Sequence, residues 1–287
     1  MNNITKASGQ VELFVPEKIE RSLRKIGAPD GLIHDIISGV KAAPHIATTR
    51  DVYRYVSNRL KMADSILASR YHLKNALYEL GPGGFLFEKF TAELFKAQQF
   101  ETATGQIVAG KCVDHEIDVI AYNLDSHFMV ECKFHNSHGL KTDVKVALYI
   151  QARYQDIQET VFTLTTHTGS FNKAWLATNT KFTTDAIRYA QCNNMGLIGW
   201  AYPQNTSIET MVDYYGLYPI TSLVSLTYYQ KKLLLEAGIL LCKDLATRTH
   251  LPIALTPQQL SAVQKECAAL SEPANRSYPS LDAPAAR

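Results

Sequence analysis

Residues 115–134 read HEIDVIAYNLDSHFMVECKF, two apolar runs on either side of the polar stretch NLDS. β-branched and aromatic residues dominate both runs, which is the pattern of two strands joined in a hairpin. Glu131 and Lys133 stand two positions apart on the second strand, so their side chains point to one face of the sheet. Pairing of the strands around NLDS brings Asp118 toward the same end, where two carboxylates and one ammonium group converge.

Two carboxylates and a lysine in this arrangement are typical of metal-assisted hydrolysis. Carboxylate oxygens suit a hard divalent cation such as Mg²⁺ or Mn²⁺, which keeps several waters and accepts a phosphate oxygen as a ligand. The cation polarises the phosphoryl group and favours deprotonation of a bound water, and a lysine can orient that water. We therefore expect Asp118 and Glu131 to hold the metal ion and Lys133 to assist the attack. The alternative is a surface ion pair between Glu131 and Lys133 with an unrelated Asp118.

The surrounding sequence predicts helices and strands in the order α-β-β-β-α-β-α-β. Apolar residues at helical spacing mark a first helix, and three strand-like runs follow it. The predicted elements are a helix at 85–99, strands at 106–109, 115–122 and 127–134, a helix around 144–154, a strand at 174–178, a helix at 183–193 and a strand at 197–201. This order predicts the α/β class with some α+β character, built as a mixed sheet flanked by helices.

The three polar residues resemble the PD-(D/E)xK nuclease motif, present here as Asp118 and Glu131-Cys132-Lys133. The flanking sequence is similar to the restriction-endonuclease-like branch that includes Mrr-type enzymes. GGFLFEKFTAELFKAQQF from residue 83 resembles the opening helix of that branch, and ALYIQARYQDI from residue 147 resembles a later helix. LATNTKFTTDAIRYA from residue 176 resembles the strand and helix that complete the core, so that the resemblance covers residues 83–203.

This resemblance implies a Mg²⁺-dependent endonuclease that cleaves DNA to leave a 5′-phosphate and a 3′-hydroxyl. It adds Glu88 of the opening helix and Gln151 of the later helix to the catalytic residues. It also implies that the backbone carbonyl of Cys132 joins Asp118 and Glu131 as a metal ligand. Two alternatives stay open: a catalytically inert, nucleotide-sensing DNA-binding regulator, and an RNA-cleaving nuclease.

The stretch GPGG at residues 81–84 is the strongest boundary signal in the chain, since Gly and Pro interrupt both helices and strands. It separates residues 1–80 from the nuclease-like segment, residues 83–205. Residues 206–270 have helical patterns. The tail, residues 271–287, is rich in Pro, Ala and Ser and is expected to be disordered.

A cluster of polar residues near the N-terminus is typical of an anion site. Short extended runs on either side of Gly9 predict a hairpin that brings Lys6 and Lys18 near one edge. Lysines and a helix N-terminus suit a triphosphate, while Glu12 suits a ribose hydroxyl or an adenine amine. Thr49 is predicted as the N-cap of a later helix.

The segment KASGQVELFVPEKI, residues 6–19, resembles the opening of the ATP-cone of ribonucleotide reductase large subunits and of a repressor of their genes. The resemblance covers residues 3–80 and implies a homo-oligomer, dimer or tetramer, whose assembly depends on bound ATP or dATP. The nucleotide contacts that it implies are Lys6, Glu12, Lys18, Thr49 and Tyr53. Ala7 stands where the family has a basic residue and Val15 where it has a polar one, so the nucleotide preference is expected to differ. The alternative is a small helical domain that binds a partner protein.

The stretch EAGI at residues 236–239 lies between two short helices and resembles a helix-hairpin-helix. Such a turn offers backbone N–H groups to a DNA phosphate, a contact that carries no sequence information. A plain helical hairpin that packs on the core is the alternative.

Two smaller groups of residues suggest other chemistry. Cys132, His135 and His138 have a spacing that suggests a zinc site, although no fourth ligand follows at a suitable distance along the chain. The stretch from Asp114 to Glu116 could form an acid/base set, but we favour a polar approach to the strand, in which His115 contacts substrate phosphate.

Composition excludes several classes of protein. With 46% hydrophobic and 20% charged residues, the chain is neither mostly disordered nor a disulfide scaffold. Its net charge of +2 gives no general attraction to nucleic acid, although the first 80 residues carry 12 Lys or Arg against 8 Asp or Glu. Five scattered cysteines and no signal peptide or membrane span favour a cytoplasmic protein. We expect a nucleotide-regulated nuclease, and defence against foreign DNA is a role that this domain pairing suggests.

Overall fold

The computed structural model of the protein describes residues 3–6, 9–43, 46–165, 167–246, 248 and 250–273. The chain divides into two compact units. One unit combines the described residues of Met1–Ala76 with those of Tyr218–Glu272, and the other contains Leu77–Leu217 with Pro273. The expected disordered tail lies outside the described residues from residue 274 onward, and so does part of the predicted N-terminal hairpin turn.

The described residues contain the following secondary-structure elements. The strands are β1 Asn3–Thr5, β2 Val11–Leu13, β3 Glu101–Ala109, β4 Asp114–Tyr122, β5 His127–Lys133, β6 Lys141–Thr142, β7 Phe162–Thr163, β8 Thr168–Gly169, β9 Lys173–Thr178, β10 Lys181–Phe182 and β11 Gly196–Ile198. The α-helices are α1 Pro16–Lys25, α2 Asp30–Ala42, α3 Thr49–Ala63, α4 Ser65–Tyr78, α5 Phe85–Ala97, α6 Val144–Ile157, α7 Thr184–Cys192, α8 Ile208–Tyr215, α9 Tyr228–Glu236, α10 Cys242–Ala246 and α11 Pro257–Ser271.

The unit that contains Leu77–Leu217, called the central unit below, is built on a five-stranded mixed sheet. The order of the strands is β11-β9-β5-β4-β3. Strands β3, β4 and β5 are antiparallel neighbours, whereas β9 runs parallel to β5, and β11 runs parallel to β9. The mixed sheet flanked by helices confirms the predicted fold class. Strand β3 begins five residues earlier than predicted, because it pairs with β4 along nearly its whole length.

Helices cover both faces of this sheet, so β9 carries an almost continuous run of buried side chains instead of an alternating one. On one face, α5 buries an aromatic group against the sheet, in which Phe95 contacts the rings of Phe100, Phe128 and Trp175 edge to face or nearly so. On the other face, α6 and α7 bury small and branched residues, among them Ala147, Ile150, Ile157, Ala186 and Ala190. Because these residues recur at helical spacing, they form an apolar stripe along each helix, and this stripe faces the sheet.

In the other unit, which contains the N-terminal segment and is called the N-terminal unit below, the hairpin β1–β2 lies beside the start of α3. The backbone N–H of Thr5 donates to the carbonyl of Ala47 at 2.9 Å, which ties the hairpin to the residues before the helix. The predicted N-cap is wrong by one residue. Thr48 is the N-cap, and its hydroxyl accepts a hydrogen bond from the N–H of Asp51 at 3.1 Å. The Asp51 carboxylate in turn accepts a hydrogen bond from the N–H of Thr48. Thr49 is the first helical residue, because only Thr48 has the extended backbone that a cap requires.

The C-terminal helices pack in the same unit as the N-terminal segment. Thr221 donates a hydrogen bond to the carbonyl of Ala76 at 2.8 Å, and Glu266 of α11 accepts from Val224 N–H at 2.8 Å and from the hydroxyl of Ser69. Residues 206–270, treated above as one region, are therefore divided at Leu217, with α8 in the central unit. Within the described part of the chain, no helix is both long enough and apolar enough to cross a bilayer.

Candidate active site

Asp118 and Glu131 lie close together where the pairing of β4 and β5 ends. The last pair of the antiparallel register is Val119 opposite Val130, and Asp118 and Glu131 are the next residues of the two strands. The charge of Asp118 acts on the Glu131 carboxylate. The Asp118 Oδ2 atom accepts the backbone N–H of Cys132 at 2.7 Å, which fixes this carboxylate beside the end of β5.

A third carboxylate, on α5, acts on the same two residues through its charge. Glu88 lies in the first turn of that helix and interacts electrostatically with both Asp118 and Glu131. Burial raises the pKa of Glu88 to about 7, and the negative charges of Asp118 and Glu116 act in the same direction. Three of the predicted residues therefore influence one another's charge.

The shared charge also acts on the two strand carboxylates. Burial raises the pKa of Glu131 to about 7, and Asp118 adds to this effect although the Arg153 guanidinium opposes it. Burial likewise raises the pKa of Asp118, against the lowering effect of the Cys132 N–H and of Arg153. Three carboxylates in a partly dehydrated space repel one another, and a cation among them would relieve this repulsion.

The donor atoms at this position suit a hard cation. Asp118 and Glu131 supply carboxylate oxygens, and the Cys132 carbonyl is the remaining expected ligand, so the set is entirely oxygen. Among the described residues, no cluster of three or more His, Cys, Asp or Glu side chains has the arrangement of a metal site. The expected ligand set has only two such side chains, Asp118 and Glu131, and its third ligand is a backbone oxygen.

Lys133 is the last residue of β5 and is exposed. Strand alternation turns its side chain to the face that carries Glu131, and the register with β9 sets it beside Thr178. Gln151 lies on α6, two positions before Arg153, and is therefore almost on the opposite side of that helix from the residue that contacts Glu131.

Arg153 is the site residue that our reading of the sequence missed. Its side chain is only 9% exposed, and it forms an ion pair with Glu131 and donates to the backbone carbonyl of Glu116. Ala147, Ile150 and Ile157 are the buried neighbours on the same helix, so a charge at residue 153 interrupts an apolar face. A charged residue within an apolar helical stripe is the signal that could have identified it.

His115, which we expected to contact a substrate phosphate, contacts two other side chains of the protein. His115 Nε2 is 2.8 Å from Asp156 Oδ2, and its Nδ1 accepts a long hydrogen bond of 3.4 Å from Arg153 Nε. Hydrogen bonds from His115 and Cys112 lower the pKa of Asp156 to about 2. The series Glu131, Arg153, His115 and Asp156 thus links the site to the β3–β4 turn.

The suggested zinc site does not assemble. His135 Nε2 lies 3.0 Å from the hydroxyl of Thr142, and the ring of His138 packs on Tyr78 with centroids 4.0 Å apart. Burial raises the pKa of the Cys132 thiol well above its usual range, which disfavours the thiolate that a zinc ion needs. These three side chains have separate surroundings in the described structure.

In the N-terminal unit, Glu12 lies between two lysines. Its carboxylate is 2.7 Å from Lys6 Nζ and 3.1 Å from Lys18 Nζ, and hydrogen bonds from both lysines lower the pKa of Glu12. Thr49 starts α3 and Tyr53 follows one turn later, where its hydroxyl contacts a ring nitrogen of His72. The hairpin meets the start of α3 at Thr5 and Thr48, while Lys6, Glu12 and Lys18 form a group of their own.

An apolar cavity of about 560 Å³ opens beside this hairpin. Its lining includes Ile4, Leu13, Phe14, Val40 and Ile46, together with Lys41. The predicted nucleotide contacts are outside the lining. The cavity therefore adjoins the lysine pair without containing it.

The backbone amides of the EAGI turn are used within the fold. Gly238 has the left-handed φ of 75° that favours glycine, and its N–H donates to Leu235 O at 3.0 Å. The N–H of Ile239 donates to Leu234 O at 2.9 Å, and Ile239 is fully buried. These two amides are thus not free for a phosphate, unlike those of the expected helix-hairpin-helix.

Comparison with known proteins identifies two regions. Residues 83–200 match a family model described as restriction endonuclease, and residues 218–271 match one described as AF1548-like, C-terminal. No ATP-cone domain was found. An uncharacterised protein of Archaeoglobus fulgidus is 38% identical over 156 residues, which are 54% of this chain and 83% of that protein. A crystal structure of AF1548, a protein of unknown function, has 33% identity and a TM-score of 0.52, with 65% of this chain and 97% of that chain covered.

Proposed function

Because the chain belongs to the AF1548-like family and has a restriction-endonuclease-like domain at residues 83–200, we propose that it is a metal-dependent endonuclease that hydrolyses phosphodiester bonds of DNA. The observation that carries this proposal is the hydrogen bond from Cys132 N–H to Asp118, which holds that carboxylate beside Glu131 and Lys133, together with the electrostatic effect of Glu88 on Glu131. Three carboxylates that repel one another are costly to keep in a fold, and binding of a cation offsets that cost.

In this proposal, each residue has one task. Asp118 and Glu131, with the Cys132 carbonyl, hold Mg²⁺ or Mn²⁺, which when bound polarises the phosphate and lowers the pKa of a coordinated water. The Lys133 ammonium orients the attacking water and stabilises the negative charge that develops on the phosphate oxygens. Glu88, whose charge acts on Glu131, is proposed to accept a proton from that water.

Two residues act through others. Arg153 holds one oxygen of Glu131 and leaves the other available to the cation. Gln151, on the far side of α6 from that contact, is proposed to meet the DNA instead of the metal.

Cleavage of plasmid and linear duplex DNA in Mg²⁺ tests this function. We expect Glu131→Gln and Lys133→Ala each to lower the cleavage rate by about 100-fold or more, since charge stabilisation and water activation typically contribute that much. Lys96→Ala is the matched control, because it removes an exposed positive charge that pairs with Glu93 at the other end of α5.

Three other results would contradict the proposal. Equal rates for wild type and both variants would place the chemistry elsewhere. Binding of DNA by all the proteins without cleavage, in either Mg²⁺ or Mn²⁺, would favour the inert DNA-binding regulator. Cleavage of RNA alone would favour the RNA nuclease.

A second proposal concerns regulation: ATP or dATP binds at Lys6, Glu12, Lys18, Thr49 and Tyr53 and controls the assembly of a dimer or tetramer. The two lysines around Glu12 beside the start of α3 support it. An effector can shift such an equilibrium only by its differential affinity for the two states. Assembly would bring two nuclease sites to opposite DNA strands.

Calorimetric titration with ATP and dATP, combined with size-exclusion chromatography, tests this regulation. We expect Lys18→Ala to weaken nucleotide binding by about 10-fold or more, since a charged hydrogen bond to phosphate is lost, and to abolish the change in elution volume. Lys25→Ala, on the same helix, is the control. Identical elution of the apo, ATP and dATP forms would contradict the proposed switch, and absence of binding would remove the site as well.

A further inference from the structure

Two lysines distant in sequence become neighbours at the edge of the central unit. The short strands β6 and β10 are parallel and set Lys141 beside Lys181, and Thr142 beside Phe182. Thr142 and Phe182 are buried, whereas both lysines are exposed. Paired strands lie about 4.8 Å apart, so the two ammonium groups extend from adjacent positions on the same side.

This arrangement has an electrostatic cost. Like charges at paired positions of a sheet destabilise the pairing, and within the described residues neither lysine forms an ion pair. The nearest acidic residues in sequence have other positions: Asp143 caps α6 by accepting the N–H of Lys145 at 3.1 Å, and Asp185 lies in the first turn of α7. With no carboxylate at ion-pair distance in the part of the chain that the structure describes, the two lysines favour an anionic partner.

The lysine pair is connected to the candidate active site through two buried hydroxyls. The Thr142 hydroxyl, adjacent to Lys141, donates to the Thr178 hydroxyl at 3.0 Å. The Thr178 hydroxyl in turn donates to the backbone carbonyl of Lys133 at 2.7 Å. Thr142, the neighbour of Lys141, is therefore two hydrogen bonds away from the backbone of Lys133, the residue expected to assist the attack.

We propose that Lys141 and Lys181 form a phosphate-binding ledge, which holds the backbone of a duplex DNA substrate beside the phosphate that is cleaved. Lysine binds phosphate as a compact point charge and reads no base, so this contact fixes the position of the DNA and carries no sequence information. The inference rests on the proposed nuclease function and adds to it the surface that receives the substrate strand.

Salt dependence of DNA binding tests the ledge independently of cleavage. Full-length protein is titrated into a fluorescein-labelled duplex of about 30 base pairs in EDTA, between about 50 and 200 mM KCl, and binding is read by anisotropy. Each phosphate contact contributes about 0.9 to the slope of log K against log[KCl]. We expect the double variant Lys141→Ala/Lys181→Ala to reduce the magnitude of the slope by about 2 and to bind more weakly at every salt concentration.

Two further variants make the result specific. Lys96→Ala/Lys232→Ala removes the same total charge from exposed pairs with Glu93 and Glu236, and we expect it to retain the wild-type slope. Lys141→Arg/Lys181→Arg keeps both charges and should also retain that slope. If the alanine variant does not fold by circular dichroism, Lys141→Gln/Lys181→Gln takes its place.

The outcomes separate the ledge from the chemistry. A wild-type slope in the alanine variant, or equal losses in the control pair, would overturn the ledge. Failure of the wild-type protein to bind duplex DNA would overturn it together with the DNA substrate. Loss of slope in the alanine variant supports the ledge even where Glu131→Gln, assayed separately in Mg²⁺, cleaves like wild type and so overturns the proposed active site.

Discussion

Arg153 is a positive charge that the protein keeps almost out of water. At 9% exposure its guanidinium would be strongly destabilising alone, and the ion pair with Glu131 and the bond to the Glu116 carbonyl compensate for the lost hydration. Glu131 in turn has the burial and the neighbouring carboxylates that disfavour its charge. The two side chains therefore depend on each other, and each is placed by a different element.

The first prediction concerns this pair. Arg153→Leu leaves Glu131 buried with no cation, so we expect the free energy of unfolding in urea to fall by about 3–5 kcal/mol. Arg153→Lys should retain part of that stability, because it keeps the charge without the second hydrogen bond. Lys96→Ala, which removes an exposed pair, should change the stability by less than about 1 kcal/mol. A similarly small effect of Arg153→Leu would show that the pair contributes little.

The second prediction is a pH dependence of stability in EDTA. Glu88 has a pKa of about 7 in the folded protein and an ordinary value of 4.5 when unfolded, so between these pH values the folded state binds more protons. Its contribution is therefore favourable below about pH 4.5 and is lost as the pH rises through 7. Glu131 acts in the same direction.

Glu88→Gln isolates this effect. Relative to wild type, the variant should be more stable at pH 8 than at pH 5, because it removes a carboxylate whose charge is disfavoured. Urea unfolding at the two pH values gives the comparison, and Glu93→Gln, also on α5, is the control. A difference between variant and wild type that is the same at both pH values would contradict the raised pKa.

At the scale of elements, the start of α3 shows how a cap fixes a helix boundary. Thr48 and Asp51 exchange hydrogen bonds, and the same turn adjoins β1 through Thr5. The neighbouring Thr49 is the first residue with helical backbone. The two threonines thus have different tasks, although they are adjacent and chemically identical.

The third prediction separates them. Thr48→Ala should destabilise the protein by about 1 kcal/mol, the usual cost of a lost N-cap, whereas Thr49→Ala should be nearly neutral for stability. If Thr49 contacts nucleotide as proposed, only its substitution should weaken ATP binding while the melting temperature stays unchanged. Equal stability of the two variants would contradict the assignment of the cap.

At the scale of the molecule, the chain returns to the unit in which it began. Glu266 of α11 is 1% exposed and is bonded to Ser69 of α4 and to the Val224 N–H, so one carboxylate joins segments nearly two hundred residues apart. A buried carboxylate with such partners is difficult to remove, since the Ser69 hydroxyl loses its acceptor and the Val224 N–H keeps only a longer bond of 3.2 Å to that hydroxyl.

The fourth prediction follows from this contact. Glu266→Ala should lower the free energy of unfolding by about 2 kcal/mol, because the Ser69 hydroxyl loses its acceptor inside the fold and the Val224 N–H loses the shorter of its two hydrogen bonds. Glu236→Ala, at an exposed position of α9, removes the same charge and should stay within about 0.5 kcal/mol of wild type. Stability of Glu266→Ala equal to that of Glu236→Ala would contradict a structural role for the contact.

Most of the central sheet could be predicted from local patterns in the sequence. The alternation in residues 115–134, the short apolar run of β9 and the helical spacing of α5 are each readable within about 15 residues, because strand and helix periodicities are properties of neighbouring side chains. The approach of Asp118 to Glu131 also followed from one hairpin. Boundaries were less accurate, as the start of β3 and the cap of α3 show, because pairing partners and backbone angles set them.

Contacts between segments that are distant in the sequence could not be predicted from such local patterns. The partnership of Arg153 with Glu131, the pairing of Lys141 with Lys181 and the union of α11 with the N-terminal segment each join residues far apart along the chain. A sequence states which side chains are charged, but the cost of burying a charge and the identity of its partner depend on what surrounds it in the folded protein. Thus the chemistry available at the site was fixed by residue type and strand spacing, whereas its charge balance and its surroundings were fixed by tertiary packing.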